Sequence, residues 1–195
     1  MRQAQIKRET KETRVEVTLA LDGRGHADIH TGLGFLDHML TLLAGHGRLD
    51  LTVKAQGDLD VDGHHTAEDI GICLGQALKA ALGEKRGVNR YGSCLLPMDE
   101  ALVICALDFS GRGFYAGELP LPTDKIGTFD TELIAEFMTA LSANAGLTLH
   151  FQEMAGRNSH HIAEAAFKAL GRSLRAAIAV DPALNGEIPS TKGVL

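Results

Sequence analysis

An eighteen-residue segment occurs twice in this chain, and nothing else in the sequence constrains the fold as strongly. HHTAEDIGICLGQALKAA, His64 to Ala81, and HHIAEAAFKALGRSLRAA, His160 to Ala177, align without gaps at a shift of 96 residues and share nine identical positions. The same shift lays Leu51-Thr52 on Leu147-Thr148. Self-similarity at a fixed offset marks one structural unit used twice. A chain of 195 residues is long enough to bury a core between two such units.

In both copies apolar residues recur near every 3.6 positions, as Ile70, Leu74, Ala77, Leu78 and Ala81, and as Ile162, Ala166, Phe167, Leu170, Leu174 and Ile178. Each copy therefore predicts a helix, the first closed by Gly83. Another helical stretch lies upstream of each, at 34–44 and at 130–145, the latter with Asp130 able to cap it. Ahead of these come β-rich runs at 15–21 and 27–30, and at 90–96, 101–109 and 113–119, with Gly23, Gly25, Gly111 and Gly113 as turns. The expected order is three strands, a helix, a strand and a helix, twice over. This is an α+β fold of two tandem βββαβα units, 1–86 and 87–195, as two-layer sheets with the helices packed between them.

Composition removes several function classes. The longest apolar run, 101–107, is too short to span a bilayer, and the opening MRQAQIKRETKETR has no apolar stretch of the signal-peptide kind. A cytoplasmic protein without membrane partners is expected. A net charge of -6 with scattered Lys and Arg argues against a nucleic-acid partner, while leaving room for local basic pockets that hold a phosphate. Cys73, Cys94 and Cys105 are odd in number and lack C-x-x-C spacing, so they read as core residues. Nine histidines are the exception in an ordinary composition.

Four of those histidines open the repeated element as HHxxE: His64, His65 and Glu68 in one half, and His160, His161 and Glu164 in the other. On a helix, residues three and four apart share a face, so each glutamate neighbours both histidines of its pair. Adjacent histidines diverge by about 100°, which suits two different ions better than one. His38, within FLDHML, and His150, closing the run LTLH, complete a set of six imidazoles and two carboxylates. These divide into two sites of three His and one Glu, a donor set for Mn, Fe, Zn, Co or Ni. The H-E-x-x-H order of zinc proteases is absent, and a four-helix carboxylate cage needs longer helices than a strand-rich chain supplies.

The sequence resembles the imidazoleglycerol-phosphate dehydratases along essentially its whole length. The resemblance is carried by RETKET (8–13), TGLGFLDHML (31–40), GDLDVDGHHTAED (57–69), NRYG (89–92), PMDEAL (97–102), SGR (110–112), the G-x-N-S-H-H-x-x-E run at 156–164, FKALGRSLR (167–175) and IPSTKG (188–193). It implies a duplicated fold like the second domain of ribosomal protein S5, and dehydration of a phosphate-bearing small molecule, D-erythro-imidazole-glycerol phosphate, in L-histidine biosynthesis. It also implies two Mn2+ ions per active site, one held by His38, His65, Glu68 and His160 and the other by His64, His150, His161 and Glu164. Family members form 24-subunit shells built from trimers, with metals at subunit interfaces, so self-association is expected here.

By the same resemblance the substrate phosphate is held by Arg90, Arg112 and Lys168 with Ser190, Thr191 and Lys192 of the C-terminal stretch. Guanidinium and ammonium groups complement a phosphate dianion. Glu12 is the expected proton shuttle, with the metal-ligating Glu68 and Glu164 counted beside it among the catalytic residues. His38, His46, His64, His65, Glu68 and His160 are expected to touch the substrate, and Asp37, Asp69, Asp99 and Glu100 to support the ligand histidines. The chemistry asks for a proton from a carbon with no carbonyl beside it. A ring bound to metal through both nitrogens becomes an imidazolate and expels the neighbouring hydroxyl through a diazafulvene-like species. Two rivals compete with this reading. A dinuclear metallohydrolase would hold its ions about 3.5–4 Å apart, and a metal-storing oligomer would need no phosphate residues.

Overall fold

The computed structural model describes residues 2–193. In the first unit, β1 (Gln3–Glu9), β2 (Thr13–Ala20), β3 (Ala27–His30), α1 (Gly34–Gly47), β4 (Asp50–Gly57) and α2 (His64–Leu82) follow one another. The second unit repeats the series with β5 (Tyr91–Met98), β6 (Ala101–Asp108), β7 (Phe114–Glu118), α3 (Leu133–Ala145), β10 (Thr148–Ala155) and α4 (Ser159–Ile178), and inserts a ribbon of β8 (Lys125–Ile126) and β9 (Phe129–Asp130) before α3.

The sheets are ordered β1-β2-β4-β3 and β5-β6-β10-β7. In each, three strands are antiparallel and the fourth, β3 or β7, runs parallel to the last strand of its unit, β4 or β10. A parallel neighbour needs a crossover, which α1 and α3 provide. Alternation aims Val15, Val17 and Leu19 of β2, and Val103, Cys105 and Leu107 of β6, at the helices. The helices fill the space between the sheets, each packed on the sheet of its own unit, with α2 against α3 and α1 against α4, and share a single core with both sheets.

The duplicated sequence repeats its packing. Gly75 and Gly171 occupy the same position of the two copies. A Cβ on Gly75 would lie 2.6 Å from the Leu141 carbonyl of α3, and one on Gly171 2.6 Å from the Leu43 carbonyl of α1. Only glycine lets the paired helices come this close. Both pairs run in the same direction, and Leu33, Gly63 and Leu133 meet where α1, α2 and α3 begin. Both HHxxE elements therefore stand at one end of the helical layer.

The structure departs from the sequence expectation in three places. β1 joins the first sheet as an edge strand although QAQIKRE has little apolar alternation, because only Ala4 and Ile6 pack inward. Asp130 does not cap α3. It lies in β9, paired with Lys125 at 2.8 Å, and α3 begins at Leu133. No sequence signal marks the β8–β9 ribbon, since two-residue strands leave no periodicity. Gly83 closes α2 as expected. Cys73 and Cys105 are buried, with thiols pushed up to about 11 and about 12 chiefly by burial, and Cys94 is half-buried. Among the described residues no helix is long and apolar enough to cross a membrane.

Candidate metal centre

His38 on the first turns of α1 meets His160 and Glu164 on the first turns of α4. Nε2 of His38 lies 3.4 Å and Nε2 of His160 3.2 Å from Oε2 of Glu164. One donor atom from each residue falls within 4.8 Å of the others. Asn158 starts α4 by accepting the N–H groups of His160 and His161, which orients the pair. Phe35 packs edge-on to His160, with ring centroids 5.2 Å apart.

Glu164 is buried, and burial raises its carboxyl, but the Lys168 ammonium together with His38 and His160 outweighs that and holds it below its ordinary value. Lys168 Nζ sits 2.5 Å from Oε1, leaving Oε2 to the imidazoles. Two ring nitrogens and an anionic oxygen converging from two helices suit a divalent ion of borderline hardness. The resemblance places Glu164 with His64, His150 and His161 of more than one chain, whereas within one chain His38 and His160 are the imidazoles that reach it. The reason lies in helix geometry: His160 and Glu164 are four residues apart and lie one above the other.

The second histidine of each pair has a different neighbour. Nδ1 of His161 is 2.7 Å from Oε2 of Glu100, at the tip of the β5–β6 hairpin, and Nδ1 of His65 is 2.9 Å from Oδ2 of Asp58, in the loop after β4. In both cases the carboxylate hydrogen bond comes first among the influences that raise the imidazole above its ordinary value. Glu100 is held down at about 2, chiefly by His161. A carboxylate on Nδ1 fixes the tautomer and leaves Nε2 as the donor for a metal. The sequence predicts such a role for Glu100. Asp58 carries no such signal, because seven residues of sequence separation give no clue that the loop folds back onto His65.

The remaining expected residues are spread out. His64 begins α2 beside His65, their ring centroids 6.0 Å apart, and Glu68 lies one turn on. Glu12 is exposed in the β1–β2 turn, near enough for its charge to favour the protonated form of His65. His46 packs against α4, and burial first, then Lys168 and Arg172, keep its imidazole below its ordinary value. Asp37 and Asp69 are structural: Asp37 accepts Thr31 N–H at 2.9 Å, and Asp69 ties Arg8 and Thr13 of the β1–β2 hairpin to α2.

His150 stands apart on the outer face of the second sheet, beside Ile104, Ala106 and Ala116. Tyr91, Leu95, Ile104, Phe114 and Met154 are exposed there. The first sheet instead shows Gln3, Gln5, Lys7, Arg14, Lys54 and Gln56 to solvent.

Arg90 is engaged already. Its Nε and Nη2 grip Asp108 at 2.6 and 3.0 Å, and Nη1 donates to the Pro189 carbonyl at 3.0 Å. That anchors the stretch carrying Ser190, Thr191 and Lys192. Tyr91 pairs with Asp108 at one end of the β5–β6 hairpin and Met98 with Ala101 at the other, next to Glu100. At 3.3 Å per residue, Arg90 and the C-terminal stretch lie about 25 Å along the sheet from His161. Arg112, in the turn after β6, is at the Arg90 end, while Lys168 is beside Glu164.

The family model for imidazoleglycerol-phosphate dehydratase matches residues 31–174. Relatives of that name from Xanthobacter autotrophicus and Rhodopseudomonas palustris are 62% and 60% identical over 195 residues, covering 100% of this chain and 99% of each relative. The crystal structure of imidazoleglycerol-phosphate dehydratase from Staphylococcus aureus superposes with a TM-score of 0.84 at 41% identity, over 92% of this chain and 99% of that one. That of the Pyrococcus furiosus enzyme gives 0.85 at 38%, over 97% and 100%.

Proposed function

The chain belongs to the imidazoleglycerol-phosphate dehydratase family, and on that premise we propose that it is a metal-dependent hydro-lyase of L-histidine biosynthesis. Its substrate is D-erythro-imidazole-glycerol phosphate and its product imidazole-acetol phosphate, reached by the ring-assisted path set out above. The observation that carries this reading is the meeting of His38, His160 and Glu164 at one end of the helical layer.

The metals are Mn2+, two per active site. His38, His160 and Glu164 would hold one ion, with His65 the fourth residue, and His64, Glu68, His150 and His161 would hold the other. An ion so held supplies Lewis acidity to the substrate ring, which favours departure of the neighbouring hydroxyl. The chain's own groups do the rest. Asp58 and Glu100 orient His65 and His161, and Glu12, beside His65, takes the proton from the neighbouring carbon and returns one when the enol becomes the ketone.

No single chain assembles this site. His150 lies on the outer face of a sheet, and the stretch held by Arg90 lies about 25 Å from His161. Copies of the chain complete one another in a 24-subunit shell built from trimers, for which the apolar outer face of the second sheet is suited. Arg90, Arg112 in the turn after β6, and Ser190, Thr191 and Lys192 on the stretch placed by Arg90, then take the substrate phosphate together with Lys168 of a different copy. The setting is the cytoplasm.

The test is incubation of manganese-loaded protein with imidazole-glycerol phosphate, following ketone product and free phosphate together. Ketone without phosphate release is the expected result. Phosphate release would make the chain a metallohydrolase, and metal binding with neither product would leave a storage or structural role.

A further inference from the structure

At the opposite end of the helical layer lies an open pocket of 420 Å³ lined by Arg2, Asp22, Arg24, Arg48, Arg175 and Ile178 among others. Arg48 ends α1 in the left-handed conformation (φ 55°), and Arg175 lies in the last turn of α4. From His160 to Arg175 the helix rises about 22 Å, so the pocket is separate from the metal centre. Its volume falls within the range of about 300–1,000 Å³ usual for small-molecule sites.

The charge on this pocket is one-sided. Arg2 is occupied, its Nε 3.2 Å from Asp22 and its Nη1 2.6 Å from the Ile178 carbonyl. Among the described residues Arg24, Arg48 and Arg175 form no ion pair. Asp50 stands behind the 22–26 turn, but its Oδ1 accepts the N–H groups of Arg24, Gly25 and His26. Arg24, Arg48 and Arg175, none in an ion pair, thus line one pocket against the single carboxylate of Asp50 behind it, in a chain whose net charge is -6. The carbonyl ends of α1 and α4 offset Arg48 and Arg175 by about half a charge each. Arg24, in the β2–β3 turn, faces no helix end of its own.

We propose that this pocket binds a small phosphate-bearing anion. Guanidinium forks around one cavity are the groups that recognise a tetrahedral oxyanion, and the like charges they bring together are relieved when it binds. The site is independent of the dehydratase reading.

Phenylglyoxal modifies accessible guanidinium groups and so reads the site directly. The intact metal-loaded protein is labelled with and without inorganic phosphate, and the peptides carrying each arginine are quantified by mass spectrometry. At phosphate about four times its Kd, labelling of Arg24, Arg48 and Arg175 is expected to slow about fivefold, while exposed Arg14 labels as before. Arg48→Gln should abolish the protection of Arg175 and leave dehydration turnover at the parent value. Equal labelling with and without phosphate would overturn the proposal. Protection confined to Arg112 would do the same, and so would failure of Arg48 and Arg175 to label at all, since the pocket would then be closed to small molecules.

Discussion

Glu100 lies 2.7 Å from Nδ1 of His161, across 61 residues of chain, and Asp58 stands in the same relation to His65 at 2.9 Å. The two carboxylates come from unrelated places, a hairpin tip and a post-strand loop, although the histidines are duplicates. The pattern is the one expected of imidazoles that must present Nε2 to an ion. Glu100→Gln and Asp58→Asn should each weaken metal binding about 10–100-fold while leaving the fold intact. Metal titration alongside a circular-dichroism melt checks this, and unchanged affinity in both variants would remove the orienting role.

Both contacts raise their imidazoles above the ordinary value of 6.5. A ligand histidine must be neutral, so metal affinity should fall as pH drops through those raised values and be fullest above them. Glu100→Gln removes the charge that favours protonation of His161. The midpoint of the pH dependence should therefore move down in the variant, even as affinity at high pH falls. A midpoint unmoved from the parent would show that His161 is not the titrating ligand.

Glu100 itself gives the opposite sign. Its folded-state carboxyl is held at about 2, below the ordinary 4.5. The stability it contributes is present above 4.5 and is lost as pH falls toward 2. Acid denaturation of the metal-free parent should steepen over that interval relative to Glu100→Gln, as followed by urea midpoints at successive pH values.

Arg90 joins Asp108 to the Pro189 carbonyl, and both side chains of the ion pair are mostly buried. Arg90→Lys keeps the charge but loses the two-pronged grip, at a cost of about 1.5–3 kcal/mol. Residues 185–193 should then exchange amide hydrogens and be cut by protease faster. KM should rise more than kcat falls, because the affected stretch is assigned to substrate phosphate. A fall in kcat alone would contradict that assignment.

Gly171→Ala places a methyl group 2.6 Å from the Leu43 carbonyl where α1 and α4 meet. Overpacking of this kind costs about 1–3 kcal/mol, read from the denaturant midpoint. Gly75→Ala at α2 and α3 should behave alike, and an effect in only one of the two would show that the repeat units do not pack equivalently.

Much of this protein is legible in its sequence. The 96-residue offset predicted two like units, and the apolar spacing of Ile70 to Ala81 and Ile162 to Ile178 predicted their helices, because both are local properties of the chain. HHxxE marks four histidines as candidate metal ligands for the same reason, since four residues make about one turn. The edge strand β1 and the β8–β9 ribbon escaped because hydrogen bonds to neighbouring strands hold them, not a periodic apolar face of their own.

What the sequence by itself determined is the duplicated βββαβα architecture and the donor types available to an ion. Only the tertiary structure decided how they are shared. Glu164 meets His38 because α1 and α4 pack side by side in the same direction, closest where Gly47 and Gly171 meet, and Asp58 meets His65 because a loop turns back on the helix it precedes. Arg90 is drawn to Asp108 and Pro189, a hairpin's length from the histidines. Such pairings depend on distances between elements, and no local pattern of residues encodes those distances.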